Sequence, residues 1–261
     1  MKNSGLLLPA LGLGAVVGLV GLIASSGGGA SGGGAGCARR PLLDVAPGDE
    51  TRWSQAHKLT LVEPGWPLTE LLDELRGQGW RPHLVYTWRA LGTQGQLFAA
   101  GASGVPFGFH CAVRDGKPAA LAADIIDQRH GWGAEQPDAE RTRQAAAFFQ
   151  ALGSATRRRG WTWGGDWSRK NGWAAYGMGW DPCHIQLPAN SALPAVQARS
   201  LPHILGRPAA TRAGKGGYSY HLWPGGWAQV AAGPAAVGTL IPPNTSAARQ
   251  VAAEVGQVEC R

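Results

Sequence analysis

Trp163-Gly164-Gly165-Asp166-Trp167, followed after a turn-rich interval by Asp181-Pro182-Cys183-His184-Ile185-Gln186-Leu187, is the stretch that decides how this chain is read. Asp181 stands just before a histidine that opens an apolar, strand-like run, and that arrangement is half of a metal site. The other half has to lie upstream. Only at Phe109-His110 and Ala122-Ala123-Asp124-Ile125-Ile126-Asp127 does a second histidine precede a carboxylate embedded in a strand-like run. His110, Asp124 and His184 offer two imidazoles and one carboxylate and leave a fourth position for water, the ligand count of a catalytic zinc ion. Asp127 is the nearest competitor to Asp124, but alternation along a strand turns it to the opposite face.

Working outward, Leu68, Leu71, Leu72 and Leu75 recur at helical spacing, and Gly77 and Gly79 stop that helix. Residues 82–89 read as a strand and Thr93 to Ala100 as a short helix. Leu121 to Ile126 reads as a second strand. A long helix is expected from Asp138 to Arg159, with Ala145, Phe148, Phe149 and Leu152 on one face and Arg157-Arg158-Arg159 as its solvated end. Trp161–Trp163 and Cys183–Leu187 complete a small antiparallel sheet. The fold class is therefore α+β, with helices packed on the sheet around a single zinc site. Residues 1–24, 25–45, 46–190 and 191–261 divide as leader, linker, catalytic domain and C-terminal extension. In the extension, 218–223 and 227–230 read as a hairpin and 247–255 as a closing helix.

Chemistry at such a site needs a carboxylate to accept a proton from water and pass it on, and Asp181 is placed for that work. A cation for a substrate carboxylate or a developing oxyanion is also needed, and Arg89 is the candidate. His83, His130, His203 and His221 read as ordinary surface or core groups. Asp166 reads as a cap on the amides of its Gly-Gly turn. Trp132, Trp163, Trp167 and Trp180 are placed near the cleft.

Residues 59–187 resemble the zinc D-alanyl-D-alanine carboxypeptidases and L-alanyl-D-glutamate endopeptidases that cut peptidoglycan stem peptides, phage endolysins among them. The resemblance is carried by Thr87-Trp88-Arg89, Gln94-Gly95-Gln96-Leu97-Phe98, His110 with Ala123-Asp124, the Trp163–Trp167 segment and Asp181-x-x-His184. It implies His110, Asp124 and His184 as zinc ligands, Asp181 as general base and Arg89 as anion clamp, with Gln96, Trp132 and Trp180 facing substrate. Gly108 and Val113 stand where the family usually has serine and glycine. The gap from His110 to Asp124 is longer than the family's, and Arg114-Asp115-Gly116-Lys117-Pro118 reads as an inserted hairpin tip. The expected function is peptidoglycan hydrolysis at the L-Ala–D-Glu bond. D-Ala-D-Ala carboxypeptidase activity or non-catalytic cell-wall binding are the alternatives.

Composition fits this setting. Twenty-four Lys and Arg against 17 Asp and Glu give +7 and a pI near 9.6, which favours a polyanionic neighbour such as cell wall, a phospholipid surface or nucleic acid, the alternative being an excess that only solubilises. Export and the lack of a basic-aromatic pattern argue against nucleic acid. Lys2 precedes an uncharged run over 5–24 that reads as an export signal or a membrane anchor, so the protein is expected outside the cytoplasm. Residues 25–36 form a Gly/Ser/Ala tether. In an exported chain the four cysteines permit disulfides. If His110 and His184 converge, their neighbours Cys111 and Cys183 come close, and a Cys111–Cys183 bridge is expected. Two free buried thiols are the alternative.

Overall fold

Ser54 follows a 3-10 turn (Glu50–Arg52), is itself extended, and its hydroxyl accepts from the His57 amide, capping a short helix α1 (Gln55–Thr60). The leucine stripe of α2 (Leu68–Gly77) then buries Leu68, Leu71, Leu72 and Leu75 together. These elements belong to a computed structural model that describes residues 50–133, 139–168, 172–223, 225–231 and 238–256. The expected export run, the tether, Cys37 and Cys260 fall outside the described residues. Among the described residues, no helix is long and apolar enough to cross a membrane.

The fold is α+β, as expected. Strand β1 (Pro82–Tyr86) is followed by α3 (Leu91–Ala99), and a two-stranded hairpin joins β2 (Val113–Arg114) to β3 (Lys117–Pro118). Asp115 and Gly116 at its tip both have positive φ, 52° and 75°, the conformation a two-residue hairpin turn demands. The segment between His110 and Asp124 thus contains a hairpin. Strand β4 (Ala122–Asp127), helix α4 (Ala139–Arg158), β5 (Thr162–Trp163) and β6 (His184–Gln186) complete an antiparallel sheet of order β1-β4-β6-β5.

Helices α2 and α4 cover one face of this sheet, where Leu71, Leu75, Phe148 and Phe149 meet Leu84, Ile125 and Ile185. Alternation along β4 commits Ala123 and Ile125 to that core and Asp124 to the opposite face. The arginines that end α4 are not merely solvated. Arg157 pairs with Asp166 and lies 4.6 Å from the Trp163 ring centroid, while Arg158 and Arg159 grip Glu74 on α2. Asp166 therefore spends its carboxylate on Arg157 and not on the Gly-Gly amides.

Past Pro188 the chain holds more regular structure than its composition announces. Helix α5 (Leu193–Ile204) precedes β7 (Ala210–Ala213), β8 (Ser219–Leu222), β9 (Ala228–Ala231), β10 (Thr239–Ile241) and α6 (Ser246–Val255). The four strands form a second antiparallel sheet of order β10-β9-β8-β7, of which the β8–β9 hairpin and α6 were legible. Pro194 and Pro202 hid α5, although Val196, Leu201 and Ile204 bury one helical stripe. Trp223, Trp227 and Leu240 share a core with Leu91, Phe107, Phe109 and α5, so this region packs directly behind the residues that flank His110.

Candidate active site

Asp124 and His184 face each other because β4 and β6 pair with these two residues in direct register. His110 arrives from a 3-10 turn (Phe109–Cys111) held by two backbone bonds, Arg89 N to His110 O and Leu121 N to Phe109 O. The three side chains converge. His110 Nε2 lies 3.2 Å from Asp124 Oδ1 and 3.2 Å from His184 Nδ1, and His184 Nδ1 lies 3.0 Å from Asp124 Oδ1. All three residues are buried, and together they form a group that could hold a metal ion. Bonds of about 2.0–2.1 Å at tetrahedral angles set ligand atoms roughly 3.3 Å apart, so the spacing fits such an ion.

The donor chemistry fits as well. His110 Nδ1 lies 2.6 Å from the Thr87 carbonyl, which only accepts, so this nitrogen carries the hydrogen and Nε2 presents a lone pair inward. Asp124 Oδ2 accepts from Arg89 Nη2 at 3.0 Å, leaving Oδ1 for the site. Burial pushes the Asp124 carboxyl up, yet the two imidazoles outweigh it and hold it well below the usual carboxylate range. For His184 burial lowers the pKa, but Asp124 and Asp181 outweigh that and raise it above 6.5. In His110 burial prevails and the pKa is lowered.

A cleft of about 490 Å³ opens over the triad. Asp181, Arg89, Trp132, Trp167 and Trp180 line it, and the Trp167 ring centroid is 5.2 Å from that of His184. Asp181 is half-buried, and desolvation raises its pKa. Arg89 lies beyond the end of β1, 7% exposed, and donates from Nη1 to Gln94 and from Nη2 to Asp124. Its visible work is on Asp124. Gln96 is exposed on α3 outside the cleft, and Gln94, two residues earlier on the buried side, lines it. Trp163 is in the core, with its indole donating to the Pro182 carbonyl at 2.7 Å. The four histidines set aside do not line the cleft.

No bridge joins Cys111 and Cys183, and both are free, buried thiols. The alternation that turns His184 to the cleft packs Cys183 with Ile125 and Ile185, whereas Cys111 packs with Phe107 and Val113 in the other core. Burial pushes Cys111 up to about 11 and Cys183 well above its ordinary value, so both stay protonated. The Cys183 thiol donates to Asp181 Oδ1 at 3.0 Å.

The Trp163–Trp167 segment explains itself here. A Cβ on Gly164 would come 2.2 Å from the Asp181 carbonyl, and one on Gly179 would come 2.8 Å from the Trp167 carbonyl. Only glycines let the two loops stack, bonded from Gly179 N to Gly165 O at 2.6 Å. That stacking sets Asp181 and Trp167 beside His184.

The raised pKa of His184 has a measurable consequence. An imidazole raised above 6.5 contributes stability that is present below its unfolded value and lost as pH rises through its folded value. The raised Asp181 carboxyl has the same sign at lower pH, and the lowered His110 acts only below 6.5. Chelator-treated protein is therefore expected to melt at progressively lower temperature as pH is stepped upward from 6.5. Loading a divalent metal should reverse the slope, because protons then compete less for the ligands. Parallel melting curves with and without metal check both signs.

No protein-family model matches the chain, and no curated protein matches it. Among solved structures, the crystal structure of the Serratia marcescens L-Ala D-Glu endopeptidase ChiX is similar. Its identity is 21% and its TM-score 0.34, over 56% of this chain and 93% of that one. A likeness this distant assigns no activity.

Proposed function

We propose that this protein is an exported, zinc-dependent peptidase that hydrolyses peptidoglycan stem peptides at the L-Ala–D-Glu bond. The observation that carries the reading is the convergence of His110 Nε2, Asp124 Oδ1 and His184 Nδ1 beside a half-buried Asp181 at the floor of an aromatic-walled cleft. When bound, zinc supplies Lewis-acid polarisation of a carbonyl and activation of water.

The protein's own groups do the rest. Arg89 donates to Asp124 Oδ2 and holds that carboxylate in one orientation. Asp181, whose burial makes its carboxyl a better proton holder, accepts a proton from water and returns it to the leaving amine. Trp167 and Trp180, with ring centroids 5.7 Å apart, keep water off the reacting groups on the side of His184.

The cleft favours an internal bond over a C-terminal one. A carboxypeptidase needs a cation for the substrate's terminal carboxylate. Among the described residues that line the cleft, Arg89 is the only Lys or Arg, and both its Nη groups are engaged by Asp124 and Gln94. We read 46–190 as the catalytic unit and 191–261 as an accessory unit that buttresses α3, since a Cβ on Gly95 would lie 3.0 Å from the Trp227 ring.

Purified protein incubated with muropeptides and zinc should release a new D-Glu amine, detected by mass, and a chelator should stop the release until zinc is restored. Absence of any new product from zinc-loaded protein would sink the reading. Loss of a terminal D-Ala alone would transfer it to carboxypeptidase activity.

A further inference from the structure

We propose that Gln186 and Asn190 form an outer amide pair that dictates which nitrogen of His184 faces the metal, which makes Gln186 a positioning residue of the site. The proposal rests on reading His110, Asp124 and His184 as a metal site. Gln186 sits two residues after His184 in β6, on the same face of the strand, and is 2% exposed. Its Nε2 donates to the Pro188 carbonyl at 2.9 Å and to Asn190 Oδ1 at 2.8 Å. The Pro188 carbonyl can only accept, so the orientation of the Gln186 amide is fixed and Oε1 points the other way. Oε1 meets His184 Nε2 at 3.1 Å and must accept from it. The hydrogen of His184 is thereby placed on Nε2, and Nδ1 is the nitrogen left for the metal.

His110 is set in the opposite sense. Its Nδ1 is committed to the Thr87 carbonyl, so it presents Nε2. The two imidazoles of one site thus offer different nitrogens, each chosen by a partner outside the site. A ring of His184 freed from Gln186 gains access to the other tautomer, which puts the hydrogen on Nδ1, and to the flipped orientation, which carries Nδ1 away from its place 3.0 Å from Asp124 Oδ1. Outer partners of metal-binding histidines of this kind are worth about 10–100-fold in metal affinity.

The test uses full-length protein with 15N-labelled histidine, loaded with zinc. Wild type should show His184 protonated at Nε2 with Nδ1 bare of hydrogen. Gln186→Leu should scramble or reverse this pattern and weaken zinc binding, measured by chelator competition, by about 10–100-fold. Should that variant fail to fold, two milder ones still decide the matter. Gln186→Glu keeps an acceptor and should retain the wild-type pattern. Asn190→Ala, at the exposed start of the 3-10 turn Asn190–Ala192, leaves the Pro188 carbonyl in place and should weaken zinc in the same direction by less. An unchanged His184 pattern in Gln186→Leu overturns the proposal, whether or not affinity falls, because Gln186 would then be only a packing residue. If wild type binds no zinc, the metal reading fails by itself. The amide pair is then judged by the same spectrum of zinc-free protein, taken at a pH where the spectrum shows His184 neutral.

Discussion

Asp181→Asn is expected to lower the rate of muropeptide cleavage by about 10²–10⁴-fold, the usual worth of a positioned general base. The asparagine keeps the size of the side chain and an oxygen for the Cys183 thiol, which donates to Asp181 at 3.0 Å. The Asp181 backbone carbonyl, which accepts from His184 N at 3.2 Å, is untouched. Zinc content and melting temperature should therefore stay near wild type while turnover collapses. Steady-state kinetics beside metal analysis checks both halves. Wild-type turnover in this variant would remove Asp181 from the mechanism, and lost zinc would make it a fourth ligand instead of a base.

Asp124→Ala is expected to abolish metal binding and to destabilise the fold by about 3–5 kcal/mol, because one partner of a buried ion pair is removed and the other stays. The stranded group is Arg89, whose side chain is 8% exposed and whose Nη2 otherwise donates to Asp124 at 3.0 Å. Two effects are mixed in that variant, and a second one separates them. Asp124→Leu combined with Arg89→Met replaces the pair with apolar groups and should regain most of the stability while binding no zinc. Denaturant melts and chelator competition on both proteins give the answer. A single variant as stable as wild type would mean that Arg89 finds solvent or another partner.

The periodic parts of the chain were legible because their signals are local. The α2 leucines, the α4 face with Phe148 and Phe149, and the β4 alternation that separates Asp124 from Ile125 each follow from spacing along one element. The Asp115-Gly116 turn was equally plain, since its chemistry lies in adjacent residues. Helix α5 was hidden because two prolines weaken its local signal, and its stripe finds its partners, Phe109, Val113 and Trp223 among them, elsewhere in the chain. Gln94 lines the cleft and Gln96 does not, because the phase of α3 relative to the cleft is set by packing, not by composition.

By itself, the sequence determined which residues could form the site: two histidines, a strand aspartate and an acid placed just ahead of the second histidine, each identified by residue type and neighbours. Only the tertiary structure decided how they are used. The register that sets Asp124 opposite His184 and the commitment of Arg89 to Asp124 and Gln94 are relations between distant segments. So are the separation of Cys111 from Cys183 into different cores and the carbonyl and amide partners that assign a nitrogen to each imidazole. Hydrogen bonds and burial depend on distances of a few ångströms across the fold, and a linear order of residues does not carry those distances.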